Sequence, residues 1–142
     1  MKTTNDLLNV LNETTTNDNL DTYLDNIEKY QEMNYYDYFD ALRSKHNIKK
    51  SDIARDSGIS RTYCYQILNG TRKPGRDNAI ALCIAARFTL SETIRFLEIL
   101  NLGILYPKIK RDSIIIYSIN RSLSVQETNE LLYSKKEATL SE

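Results

Sequence analysis

The chain has 142 residues, 41% hydrophobic and 27% charged, enough for one compact domain with a real core and hardly enough for two. Four glycines and two prolines are too few for a β-sandwich or barrel with its many tight turns. Net charge is zero, yet residues 1–40 carry nine acids against two bases, residues 41–111 fourteen bases against five acids, and residues 112–142 five acids against three bases. A basic middle between acidic ends is expected where one segment meets a polyanion, and equally where an acidic arm folds onto its own basic face.

In chain order, residues 1–18 hold at most a short helix around Leu7, Leu8, Val10 and Leu11, followed by a flexible linker at Glu13–Asn19. Leu20, Leu24, Ile27 and Tyr30 share one face of a helix over 20–31 with an acidic back, and Asn34 or a neighbour ends it. Tyr35, Phe39 and Leu42 make Tyr35–His46 amphipathic, with Asn47 as its terminator. Ser51 is expected to cap Asp52–Asp56, closed by Gly58, and Ser60 to cap Arg61–Leu68, closed by Asn69-Gly70. Pro74-Gly75 punctuates a basic loop holding Arg72, Lys73 and Arg76. A helix from Asp77 through Arg87 is expected to turn Ile80, Cys83, Ile84 and Arg87 to one side, and Ser91-Glu92 to open another through Leu100, ended by Gly103.

Beyond Tyr106-Pro107 lies a basic stretch, Lys108 to Arg111, which either extends a polyanion footprint or is a loop of solvated charge. The isoleucines of Ser113–Asn120 favour a strand as much as a helix. No second strand is available to pair with it, so a helix is the expectation. Ser124 caps a last helix, Val125–Tyr133, with Val125, Thr128, Leu131 and Leu132 inward, and the polar tail from Ser134 is expected to fray. Cys64 and Cys83 lack CxxC spacing, and one histidine, His46, cannot complete a zinc set, so they read as reduced core residues with no metal. No signal peptide is visible, and the longest apolar stretch, Ile114 to Tyr117, is too short to span a bilayer. A cytoplasmic protein without a membrane partner follows as the expectation.

The informative stretch is KSDIARDSGISRTYCYQILNGTRKP, Lys50 to Pro74. Ile53 and Ala54 point inward from one short helix, and the small Ala54 admits a second helix close by. Gly58 supplies the turn, Ile59 plugs the corner, and Cys64 and Ile67 lay the second helix on the first. Arg61, Thr62, Tyr65, Gln66 and Asn69 are left outside, donors and a cation gathered where a recognition helix meets base edges.

In Ile53-Ala54, Gly58-Ile59-Ser60, Ile67, Asn69-Gly70 and Pro74 with two further helices behind it, the chain resembles the lambda-repressor-like (XRE, Cro and phage repressor) helix-turn-helix family over roughly residues 35–100. The resemblance implies a five-helix helix-turn-helix core, to which the residues outside it add an acidic N-terminal helical arm and two C-terminal helices, so the expected fold is all-α. The chain is expected to divide into the arm at 1–33, a DNA-binding domain at 34–103 and a C-terminal helical extension with a short tail at 104–142. Residues 104–133 also look similar to an extension on some XRE-type proteins of Gram-positive bacteria.

What the resemblance implies for function is sequence-specific binding of double-stranded DNA, often as a homodimer, with Arg61–Leu68 as recognition helix. Its DNA-binding positions are Lys50, Ser60, Arg61, Thr62, Tyr65, Gln66, Asn69, Arg72, Lys73 and Arg76. Arg61 suits a guanine edge or pairing with Asp52 or Asp56, and Gln66 suits adenine. Lys50, Asn69 and the Arg72–Arg76 cluster suit phosphates. Tyr63 and Tyr65 depart from the small residues many members use, and either crowd groove entry or pack on sugars and thymine methyls.

Thr14–Thr16 sit in an acid-flanked run that a kinase would accept, though plain linkers share this composition. No nucleophile elbow, HExxH or phosphate-cradling glycine loop is present, and Asp37 and Asp40 read as solvated charge, so neither enzyme nor cofactor is expected. The rival reading is a protein-interaction or signalling adaptor on a helix-turn-helix scaffold, controlled by the acidic arm.

Overall fold

The structure, a computed structural model, describes residues 34–141. The helices expected within 1–18 and 20–31, the linker Glu13–Asn19 and Thr14–Thr16 lie outside the described residues. Within them the fold is all helical, with no strand: α1 (Tyr35–Lys45), α2 (Lys50–Asp56), α3 (Arg61–Leu68), α4 (Arg76–Ala85), α5 (Leu90–Ile99), α6 (Lys110–Asn120) and α7 (Val125–Ser134). The triple isoleucine belongs to α6, which turns Ile115 and Ile119 into the core.

Four helix starts differ from the sequence expectation: α4 begins at Arg76 and not Asp77, α6 takes in Lys110 and Arg111 ahead of Ser113, and the starts of α2 and α5 have other caps. Ser51 does not cap α2, which begins at Lys50 after Lys49 with no side-chain cap at all. Helix α5 begins ahead of Ser91: Thr89 is its cap, in a capping box where the Glu92 N–H donates to Thr89 Oγ1 and the Thr89 N–H to Glu92 Oε1. The same Glu92 Oε1 lies 2.9 Å from His46 Nε2, tying the end of α1 to the start of α5.

Helix α4 is the axis of the fold. Ala79 through Ala85 are all buried, so it has no solvent face over that run, and Arg87 lies beyond its end and exposed. Helices α2, α5 and α7 pack on it, and its alanines let them approach closely. An aromatic seam joins α1 to α5, with Phe39 against Phe96 at 5.2 Å and against Phe88 at 4.8 Å between ring centroids. The carboxy-terminal pair shares this core, with α6 on α5 and α7 on α4. The tail is not frayed: Leu140 is buried, and its N–H donates to Asn129 Oδ1 at 2.8 Å.

Among the described residues, six of the seven helices end in one way. Asn47, Gly70, Arg87, Asn101, Ser122 and Lys136 take positive φ, and the N–H that follows each reaches back to a carbonyl in the last helical turn, as Ile48 does to Arg43 and Phe88 to Cys83. This left-handed closure satisfies carbonyls a helix end leaves open. Ile48, Phe88, Leu102 and Leu123 then turn inward as apolar stoppers.

Candidate nucleic-acid interface

Helix α2 has only seven residues and depends on packing for its stability. Ile53, fully buried, and half-buried Ala54 set it against α3 and α4. The chain turns at Gly58, whose φ of 76° favours glycine. Ile59 packs into the corner, and the Tyr63 N–H donates to Ser60 Oγ at 3.3 Å, capping α3. Cys64, Ile67 and Leu68 form the buried face of α3. Burial pushes the Cys64 and Cys83 thiols up, the latter strongly, and both are free.

On the opposite face Arg61 and Thr62 are exposed, with Tyr65 and Gln66 half-buried behind them. Asp52 and Asp56 are not partners of Arg61. Both are taken by Arg55, at 3.2 and 2.9 Å, and the Arg55 hydrogen bond holds the Asp56 carboxyl below its ordinary range. The Arg61 guanidinium instead lies 5.7 Å from the centroid of the Tyr65 ring. Tyr63 packs against the core with the Arg72 guanidinium 5.5 Å from its centroid. The two tyrosines therefore serve as platforms for the two arginines, an arrangement the sequence did not disclose.

The loop after α3 is fastened from beneath. The Tyr35 hydroxyl lies 2.9 Å from the Ile67 carbonyl and 2.6 Å from that of Arg72. Burial raises the Tyr35 phenol above its ordinary range, so it stays a neutral donor. Gly70 has φ 86°, and a Cβ there would sit 2.6 Å from the Tyr36 ring. Asn69 Oδ1 accepts from the Thr71 N–H at 3.0 Å and from the Thr71 hydroxyl at 2.6 Å, which shapes the turn. Arg72 and Lys73 emerge exposed, and neither side chain has an acidic partner among the described residues. Lys50 is 3.9 Å from Asp40, an acid already engaged by Arg43.

Arg76 stands apart from the rest of the cluster. Its guanidinium makes two bonds to buried Asp112, at 2.9 and 3.2 Å, and donates to the carbonyls of Gly103 and Ile104. Lys110 and Arg111 are likewise engaged, Lys110 with Glu137 and the Lys135 carbonyl, Arg111 with Asp77 and the carbonyls of Ala138 and Thr139. The structure thus gathers Lys50, Ser60, Arg61, Thr62, Tyr65, Gln66, Asn69, Arg72 and Lys73 on α2, α3 and the loop behind them, and turns Arg76 inward. Tyr35 and Tyr36 shape this surface and escaped the sequence reading. Their only signal was two aromatics at the start of an amphipathic helix, which reads as core.

A family model described as helix-turn-helix matches residues 40–92, from α1 into the first turn of α5. Over those residues the chain is similar to the XRE-type, lambda-repressor-like helix-turn-helix family. No curated protein and no solved structure matches the chain. The matched family is a DNA-binding, regulatory one, typically not enzymatic. Among the described residues no group of acidic, histidine and cysteine side chains is placed to hold a metal ion, and no helix is long and apolar enough to cross a membrane.

Proposed function

We propose that the protein is a sequence-specific, double-stranded DNA-binding transcriptional regulator of the cytoplasm that lays α3, Arg61–Leu68, in the major groove. The observation that carries this reading is the charge on the outer surface of α3 and its loop. Arg61, Arg72 and Lys73 face solvent without acidic partners among the described residues, whereas Arg43, Arg55, Arg76 and Arg111 are each ion-paired. In this reading the DNA-binding unit spans 34–103 and the extension 104–142.

Arg61 opens α3 and would fork to a guanine edge, with Gln66 one turn on against adenine. Thr62 and Tyr65 border the same groove. Lys50, Ser60, Asn69, Arg72 and Lys73 would hold phosphates, supplying affinity and register rather than sequence. Two copies on a two-fold axis would read half-sites about one helical turn apart.

Binding of fluorescent duplex DNA by the full-length protein at two salt concentrations tests this. Loss of Arg72 or Lys73 should reduce the salt slope by about 0.9 each, the value for one phosphate contact. Arg61→Ala should cost about 1–3 kcal/mol of discrimination between bases. Absence of any binding at low salt would overturn the reading. One observation favours an interaction module instead: Tyr106, Ile109, Tyr117 and Tyr133 are 48–79% exposed, large apolar groups that a partner protein would cover.

A further inference from the structure

Helix α4 opens with Arg76-Asp77, and the first turn of α6 carries a second such dipeptide, Arg111-Asp112. The two are cross-paired: Arg76 binds Asp112 at 2.9 Å, and Arg111 binds Asp77 at 2.9 Å. Asp112 is 2% exposed and also accepts from the Tyr106 N–H at 3.1 Å, so its carboxylate is fully engaged. Arg76 makes four N–H bonds, to Asp112, Gly103 and Ile104.

This clasp fixes the far end of the loop that carries Arg72 and Lys73. The near end is fixed by the Tyr35 hydroxyl on the Arg72 carbonyl. Between them lie Lys73, Pro74 and Gly75. Pro74 is buried, and the space beside Gly75 is open. A loop held at both ends presents its cations without the entropy cost of ordering them on contact.

We propose that Asp112 is a positioning residue for DNA binding: through Arg76 it holds the 72–75 loop so that Arg72 and Lys73 meet the phosphate backbone, with Arg111–Asp77 as a second strut. The carboxy-terminal extension then contributes to DNA affinity without touching DNA. This rests on the DNA-binding reading above.

The test is Asp112→Asn in the full chain, read in two ways. Backbone NMR order parameters should fall at Lys73 and Gly75 and stay at the rigid-helix level, about 0.85, across Arg61–Leu68. Affinity for duplex DNA should drop about tenfold, and the same substitution in an Arg72→Ala/Lys73→Ala background should cost nothing more, since the cations it places are gone. Unchanged loop order parameters overturn the proposal, whatever the protein does with DNA. So does tighter binding with a steeper salt slope, which would mean that Asp112 only keeps the Arg76 charge away from DNA.

If Asp112→Asn does not fold, Asp77→Asn reads the same two quantities from the more exposed strut. A loop as rigid as in the unaltered chain, or unchanged affinity, counts against the proposal there too. An unaltered protein that binds no duplex at low salt removes the DNA reading alone, and the loop order parameters still decide whether Asp112 positions the loop.

Discussion

Gly70→Ala tests whether the loop after α3 is set by backbone conformation, by the tyrosine beneath it, or by both. Gly70 has φ 86°, and an added Cβ would lie 2.6 Å from Cδ1 and Cε1 of Tyr36 and 3.0 Å from Cζ. The left-handed conformation costs an L-residue about 1–2 kcal/mol, and forcing a methyl against a packed ring about 1–3 kcal/mol more. The stiffer unfolded chain returns about 0.4–1 kcal/mol. A net loss of about 2–4 kcal/mol follows, and a fall in Tm on the order of 10 °C.

Urea denaturation followed by circular dichroism measures it, with Tyr36→Ala completing a double-mutant cycle. With the ring gone, only the backbone part should remain, so Gly70→Ala should cost about 1 kcal/mol there. Equal costs in both backgrounds would show that Tyr36 moves aside freely, and the argument from crowding would fail. No cost in either background would remove the conformational argument as well.

Ser60→Ala should cost about 1 kcal/mol and speed hydrogen exchange at the Tyr63 amide, which donates to Ser60 Oγ; unchanged stability would mean that water caps α3 as well. Burial pushes Glu92 up, but the Thr89 hydrogen bonds and His46 outweigh it and leave its carboxyl below the ordinary 4.5. Its contribution is therefore full above that value and lost as pH falls through the lowered folded-state pKa, so the stability gap between the unaltered chain and Glu92→Gln should close as pH falls below the ordinary 4.5, and a constant gap would refute it. Ser122→Gly and Lys136→Gly relieve positive φ values of 56° and 63°, and each should stabilise by about 0.5–1 kcal/mol after the entropy glycine adds to the unfolded chain; a loss in thermal melts would contradict the strain.

The elements legible in the sequence are those whose cause is local. Ser60 sits three residues before the amide it caps, Ser124 heads a capping box with Glu127, and Asn47 and Asn69-Gly70 carry stop signals in their own side chains or in the lack of one. Even the Thr89 cap was written plainly, because Thr89 and Glu92 have the spacing of three that a capping box needs, whereas Ser91 and Glu92 are adjacent. The outer face of α3 was readable in the same way, since the residues outside it are those its buried triad excludes. Asn101 carries the same signal and closes α5 where Gly103 was expected, but the other stops were not readable. Arg87, Ser122 and Lys136 occupy the left-handed position, and none is a residue type that announces it; the closure is imposed by Phe88, Leu123 and the hydrogen bonds that follow.

Charge was the least legible feature, and the reason is geometric. Sequence counts fourteen bases over residues 41–111 and cannot tell which of them meet an acid from far along the chain. Arg76 and Asp112 are 36 residues apart, Arg111 and Asp77 34, so no window of helical length contains either pair. Once both pairs are made, the basic loop after α3 has lost one of its three cations to the fold, and the basic stretch that runs into the first turn of α6 has lost Lys110 and Arg111. The positive surface that remains around α3 is smaller than the sequence count, and its unpaired cations are Arg61 and the two residues the clasp leaves free, with Lys50 3.9 Å from Asp40. A salt slope measured on this protein should therefore follow the unpaired cations and not the formal charge of the segment.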